Sequence, residues 1–228
     1  MFRLRSLFLG FIFFYLNHAI AFNPIYLIDY QLQNGDLLFQ DLNCGELCDG
    51  INYVTYGFKN SYVSHVSMII SIKPKPMVIE ARSSGVVITS LEDFLNRSLD
   101  QDGKPRVMVG RLLPKYQPLI PKAIDYAKEE LGKPYNSTFI NAYGKAFYCS
   151  ELIDYAFRMA NNGKAVFQQN PMDFTNGKTS QILPIWQKYY SALNLQVPQG
   201  VQGSNPGEFS RESILKIVFF YGDLRTHK

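Results

Sequence analysis

The sequence predicts an α+β fold, an antiparallel sheet packed against helices. Short segments alternate apolar and polar residues with the period of a strand. Gly, Pro and Asn turns separate them closely enough for antiparallel neighbours. Longer segments carry the 3.6-residue period of amphipathic helices. No internal repeat, low-complexity tract or second hydrophobic unit interrupts this pattern.

The chain opens MFRLRSLFLGFIFFYLNHAIAFNPIY. Arg3 and Arg5 give a basic start, Ser6 to Leu16 an uncharged apolar stretch, and Ala19 and Ala21 the small-x-small spacing of a cleavage site. Residues 1–21 therefore read as a signal peptide cleaved after Ala21. The apolar run is short against the roughly 20 residues that span a bilayer, and Asn17-His18 interrupts it, so a retained anchor is the lesser reading. Residues 22–228 then form a single domain, exported, with a bacterial periplasm as the expected location. Of the formal charge of +4, Arg3 and Arg5 leave with the leader. What remains has no basic stripe, which argues against a nucleic-acid partner.

NGDLLFQDL (34–42) reads as a turn and a strand. SHVSMIISI (64–72) alternates, with Val66, Met68, Ile70 and Ile72 on one face and His65, Ser67, Ile69 and Ser71 on the other. KPKP (73–76) turns the chain into MVIEAR (77–82), and GVVITS (85–90) follows. Ser90 with Asp93 forms the start signal of a short helix, LEDFLNRS. RVMVGRLL (106–113) is the next strand. LIPKAIDYAKEELGK (119–133) is a helix with Pro121 in its first turn and Gly132 at its end. CSELIDYAFRMANNG (149–163) is a second, with Leu152, Ile153, Ala156, Phe157 and Ala160 as its apolar stripe. QILPIWQKYYSALN (181–194) is a third, the only one in a long irregular region. VPQGVQGSNPGEFS (197–210) reads as a Gly/Pro-rich loop, and LKIVFFYG (215–222) closes the chain as a strand.

Three cysteines remain after the leader. Cys44 and Cys48 lie close enough for a local disulfide in an oxidising compartment, which leaves Cys149 as an odd thiol. A free cysteine is most often a small buried hydrophobe. A nucleophilic one needs a base and a group that orients the base. Beyond the leader the only histidines are His65 and His227, and His227 is penultimate and expected to fray. His65 is therefore the candidate base. Glu80 lies on the next strand, within reach of His65 if the two strands pair. A carboxylate amid Met77, Val78 and Ile79 needs a partner, with Arg82 or Lys73 as alternatives to His65. Cys149 begins a helix, where free N–H groups favour a thiolate and can hold an oxyanion. A Cys3His zinc set from Cys44, Cys48, Cys149 and His65 is the competing chemistry. The expected disulfide argues against it, and no metal or cofactor is expected.

NGDLLFQDLNCGELCDGI, SHVSMII, VIEA, GKPYNSTF and FYCSELIDYAF, in this order and spacing, resemble the circularly permuted NlpC-type papain-like hydrolases. The nearest likeness is to the YiiX-like group, distant relatives of cell-wall-associated hydrolases. NPGEFS also looks similar, so the resemblance runs from residue 34 to the closing strand. It implies a permuted papain-like fold with the triad in the order His65, Glu80, Cys149. It further implies amide hydrolysis of a small peptide or cell-wall fragment, with Tyr135 as a substrate-binding residue. Asn136 stands where many relatives have Asp. Lipid or thioester chemistry, and a non-catalytic ligand-binding role, stay open. An apolar slot would favour lipid and a polar groove peptide. The sequence carries no basic amphipathic helix, so peptide is preferred and no stable membrane association is expected.

Overall fold

A computed structural model describes residues 30–142, 144–177 and 179–227. The expected leader, residues 1–21, lies outside them. The strands are β1 (Leu37–Gln40), β2 (His65–Ser71), β3 (Met77–Arg82), β4 (Gly85–Ser90), β5 (Val107–Leu112), β6 (Asn170–Pro171), β7 (Gln202–Gly203) and β8 (Leu215–Phe220). The helices are α1 (Glu46–Val54), α2 (Leu91–Leu95), α3 (Ile120–Glu129), α4 (Cys149–Ala160), α5 (Pro184–Ala192) and α6 (Pro206–Arg211). Six strands form one antiparallel sheet in the order β4-β3-β2-β1-β5-β8, while β6 and β7 form a separate small ladder.

The sheet is covered on both faces, which the alternation in β2 disguises. Val66, Met68 and Ile70 join Leu37, Phe39 and the stripes of α3 and α4 in the main core. The opposite face is also buried. Ile69, Leu38 and Val78 pack beneath Leu91, Phe94 and Leu95 of α2. Ser67 and His65 are therefore buried too, not on an open polar face. A register shift between Ile69 and Ser71 then turns Ile72 onto the α2 side, away from Val66. A bulge of this kind breaks strict alternation.

Two helices occur where no helix is expected from the pattern. α1 begins between the paired cysteines, takes in Cys48 and ends at Val54 before the second strand. α6 starts inside the Gly/Pro-rich stretch: Asn205 accepts the Glu208 N–H at 2.8 Å and Pro206 takes the first helical position. Its six residues are too few for a helical period to show.

The C-terminal tail is not frayed. Arg225 donates to the fully buried carboxylate of Asp41 through Nε (2.9 Å), Nη2 (2.6 Å) and its backbone N–H (3.1 Å). The His227 ring sits edge-on to Tyr62 with centroids 4.5 Å apart, and its Nε2 lies 3.2 Å from the Thr55 carbonyl. The tail thus straps the segment that leads into β2. Removing Arg225 would leave a buried, uncompensated carboxylate. We expect Arg225→Ala to lose about 3 kcal/mol of stability, read as a lower urea midpoint, while His227→Ala loses less.

Candidate active site

His65 is the first residue of β2, and Gln40 faces it from β1. The Gln40 amide donates to the Phe94 carbonyl at 2.8 Å and so fixes α2 above the imidazole. Glu80 lies on β3. The pairing of Met68 with Ile79, carried one step on, sets Glu80 opposite Ser67. It therefore reaches His65 on the diagonal rather than from directly across, a gap that a long side chain spans. His65 Nε2 and Glu80 Oε2 are 2.8 Å apart.

Glu80 is fully buried and its partners are unusually complete. Arg97 Nη1 donates to Oε2 at 2.6 Å and Nη2 to Oε1 at 2.5 Å, a two-pronged pair. The Thr89 hydroxyl donates to Oε1 at 2.5 Å. The ion-pair partner is thus Arg97, just beyond α2. Arg82 bonds Ser84 instead. Burial alone would raise the Glu80 pKa, but Arg97 first, then His65 and Thr89, hold it well below the usual carboxylate range.

Cys149 opens α4, close enough to the imidazole for its thiol to act on it. With Nε2 engaged by Glu80, Nδ1 is the ring atom left for the sulfur. Burial pushes the His65 pKa down. Hydrogen bonds to Cys149 and Glu80, with their charges, outweigh it and lift it from 6.5 to about 9. The first N–H groups of α4 have no carbonyl one turn back to accept them, which makes the helix start beside Cys149 favourable to an anion.

The loop before α4 is clamped to that helix. Glu151 accepts the N–H of Tyr148 (3.3 Å) and of Ala142 (2.5 Å), and the Asn136 amide (2.9 Å). Asn136 also donates to the Ile140 carbonyl (2.7 Å) and accepts the Thr138 hydroxyl (2.7 Å). An amide suits this place, because a carboxylate at 136 would face the carboxylate of Glu151. The clamp positions Tyr135, which lines the cleft beside Cys149. Burial and the nearby Cys149 charge raise the Tyr135 pKa well above its usual value, so its phenol stays an O–H donor.

The cleft over Cys149 has a cavity volume of about 130 Å³ and opens to solvent. Its walls include Ile51, Val54, Phe139, Met172, Phe174 and Trp186. Asp173 and Glu208 are its carboxylates, and among the described residues that line it there is no Lys, Arg or His. The structure thus gathers His65, Glu80, Cys149 and Tyr135. It keeps Cys44 and Cys48 apart from them, joined to each other in a disulfide at the start of α1. The residues missed from sequence are Arg97 and Thr89 behind Glu80, and the α1 and α5 walls of the cleft. An Arg seven residues beyond a helix cap carries no periodic signal, and the walls come from segments distant in sequence.

A family model described as permuted papain-like amidase enzyme, YaeF/YiiX, C92 family, matches residues 31–219. No curated protein matches the chain. Among solved structures, that of the metalloprotein yiiX from Escherichia coli O157:H7 aligns with a TM-score of 0.67 and 25% identity, over 84% of this chain and 98% of that one. The described residues of this chain do not fit a metal centre of that description. No three His, Cys, Asp or Glu side chains gather as ligands, and both Glu80 oxygens are already engaged.

The raised His65 pKa has a defined linkage sign. Between about 6.5 and 9 the folded protein holds a proton on His65 that the unfolded chain releases. The His65 contribution to stability is therefore fully present below about 6.5 and lost as the pH rises through about 9. Urea midpoints of wild type and His65→Gln should converge across this window, and the His65 ring should titrate near 9 by NMR.

Proposed function

The chain belongs to the permuted papain-like amidase family, and from that premise we propose that it is a thiol amidase acting through Cys149, His65 and Glu80. The observation that carries the reading is the relay of side chains that ends on Cys149 in the cleft lining. A helix-start thiol neighbours an imidazole whose Nε2 rests on a buried, ionised carboxylate. Cys149 Sγ attacks the carbonyl carbon, and the α4 N–H groups and the Tyr135 hydroxyl receive the oxyanion. The C–N bond breaks as His65 delivers its proton to the leaving amine. Water, deprotonated by His65, then hydrolyses the thioester and restores the thiol. Glu80 holds the ring orientation and the imidazolium charge.

Sequence reasoning favours a cell-wall peptide as substrate. The aromatic and aliphatic walls of the cleft favour the second reading, a substrate that buries an apolar acyl group in an amide or thioester. The carboxylates of Asp173 and Glu208 in the cleft lining fit a neutral or cationic substrate better than an anionic one. We propose export to an oxidising compartment, which the Cys44–Cys48 disulfide supports.

A panel of γ-glutamyl peptides, long-chain N-acyl amides and acyl thioesters tests the reading. Turnover should appear in wild type and be abolished in Cys149→Ala and His65→Ala, both of which should fold. Glu80→Gln should retain more activity but lose stability, because it strands the Arg97 charge. Full activity in Cys149→Ala would reject the mechanism. Turnover confined to the peptides would reject the apolar acyl substrate.

A further inference from the structure

The proposed relay does not stop at Glu80. Four donors meet its two oxygens: His65 and Arg97 on Oε2, Thr89 and Arg97 on Oε1. Only one of them, His65, belongs to the reacting set. The Arg97 guanidinium also lies over the Phe94 ring, 5.3 Å from its centroid. That ring sits 6.0 Å from the His65 ring. Arg97 is thus held by packing on one side and by a two-pronged pair on the other.

We propose that Arg97 is a positioning residue: its fork fixes the plane of the Glu80 carboxylate, and its charge sets how strongly that carboxylate holds a proton on His65. This rests on the reading of Cys149, His65 and Glu80 as the reacting set. The fork matters because a glutamate has three side-chain torsions and only one arrangement that aims an oxygen at the imidazole. Two parallel N–H donors remove that freedom. The charge matters because a cation beyond the carboxylate opposes a second cation on its near side. Without Arg97, Glu80 would favour the imidazolium more strongly and the ring would release its proton less readily to a leaving amine.

The groups that face His65 are few. Glu80 comes from β3 and Cys149 from α4, with Tyr135 beside the thiol. β1 contributes the uncharged Gln40 and α2 the Phe94 ring. Arg97 is the cation placed to act on His65 through Glu80.

Charge and geometry separate in two variants of the full secreted chain. Arg97→Gln keeps a hydrogen-bonding side chain and removes the charge. Arg97→Lys keeps the charge and removes the fork. The His65 ring titration is followed by NMR, and Cys149 reactivity by iodoacetamide at fixed pH. Arg97→Gln should move the His65 midpoint up by roughly one pH unit. Arg97→Lys should leave that midpoint within a few tenths of wild type yet slow alkylation several-fold. A wild-type midpoint in Arg97→Gln overturns the electrostatic role, and wild-type alkylation in Arg97→Lys overturns the positioning role. Should Arg97→Gln fail to fold, Arg97→Met, which keeps an apolar stem over Phe94, is the second charge-removing variant, read by the same midpoint criterion. A shifted midpoint with an inert Cys149 in wild type would overturn the amidase reading and the positioning role, and leave only the electrostatic link from Arg97 to His65 standing. A reactive Cys149 with no shift would do the reverse.

Discussion

A fully buried carboxylate is tolerated only where donors surround it, and Glu80 shows how much structure that demands. Its strand must pair with β2 so that an imidazole lies on the diagonal. β4 must pair on the other side to bring the Thr89 hydroxyl. α2 must end where Arg97 can turn back over the sheet. Gln40 ties α2 to β1 and so keeps Phe94 over the assembly. Four strands and one helix are thus committed to the surroundings of one side chain. The energetic risk is asymmetric: the set is stable when complete, and each missing partner leaves a charge stranded in the interior.

The second half of the site is built on the opposite principle. The role proposed for Cys149 asks for an electropositive approach, and the first turn of α4 supplies it. Glu151 makes that turn rigid without obstructing it. Its carboxylate reaches back to Tyr148 and across to Ala142 and Asn136. The same clamp holds Tyr135 at the cleft edge. The cleft therefore has Cys149 and Tyr135 in its lining and apolar walls from α1 and α5. This division suits a substrate whose carbonyl sits at Cys149 while an apolar group is buried beside it.

Much of this was legible in the sequence where local physics decides the outcome. The strands of the sheet, the short helix capped by Ser90, and the stripe of α4 follow from periodicity and capping. His65, Glu80 and Cys149 stand out by elimination and by residue type. The rest is hidden for identifiable reasons. Alternation in β2 looks like a half-exposed strand because Ser67 and His65 are polar, although α2 buries them. α6 is masked by the Pro and Gly that flank it, and its Asn205 cap emerges only with the backbone. Arg97 is one cation among many until the fold folds it back onto Glu80. His227 looks free because a terminus usually is, and only its contacts with Tyr62 and Thr55 and the neighbouring Arg225–Asp41 pair show otherwise. Tertiary partners, not local preference, decided each of these.

The central claim is that Cys149 is a thiol activated by His65, not a small buried hydrophobe. The most direct test is the pH dependence of Cys149 alkylation by iodoacetamide, followed by peptide mass spectrometry, in wild type and His65→Ala. An activated pair predicts fast modification well below the ordinary thiol value of about 8.5, and a large loss of that rate in the variant. A Cys149 that stays unmodified until the protein unfolds, or that reacts equally in His65→Ala, would contradict the account.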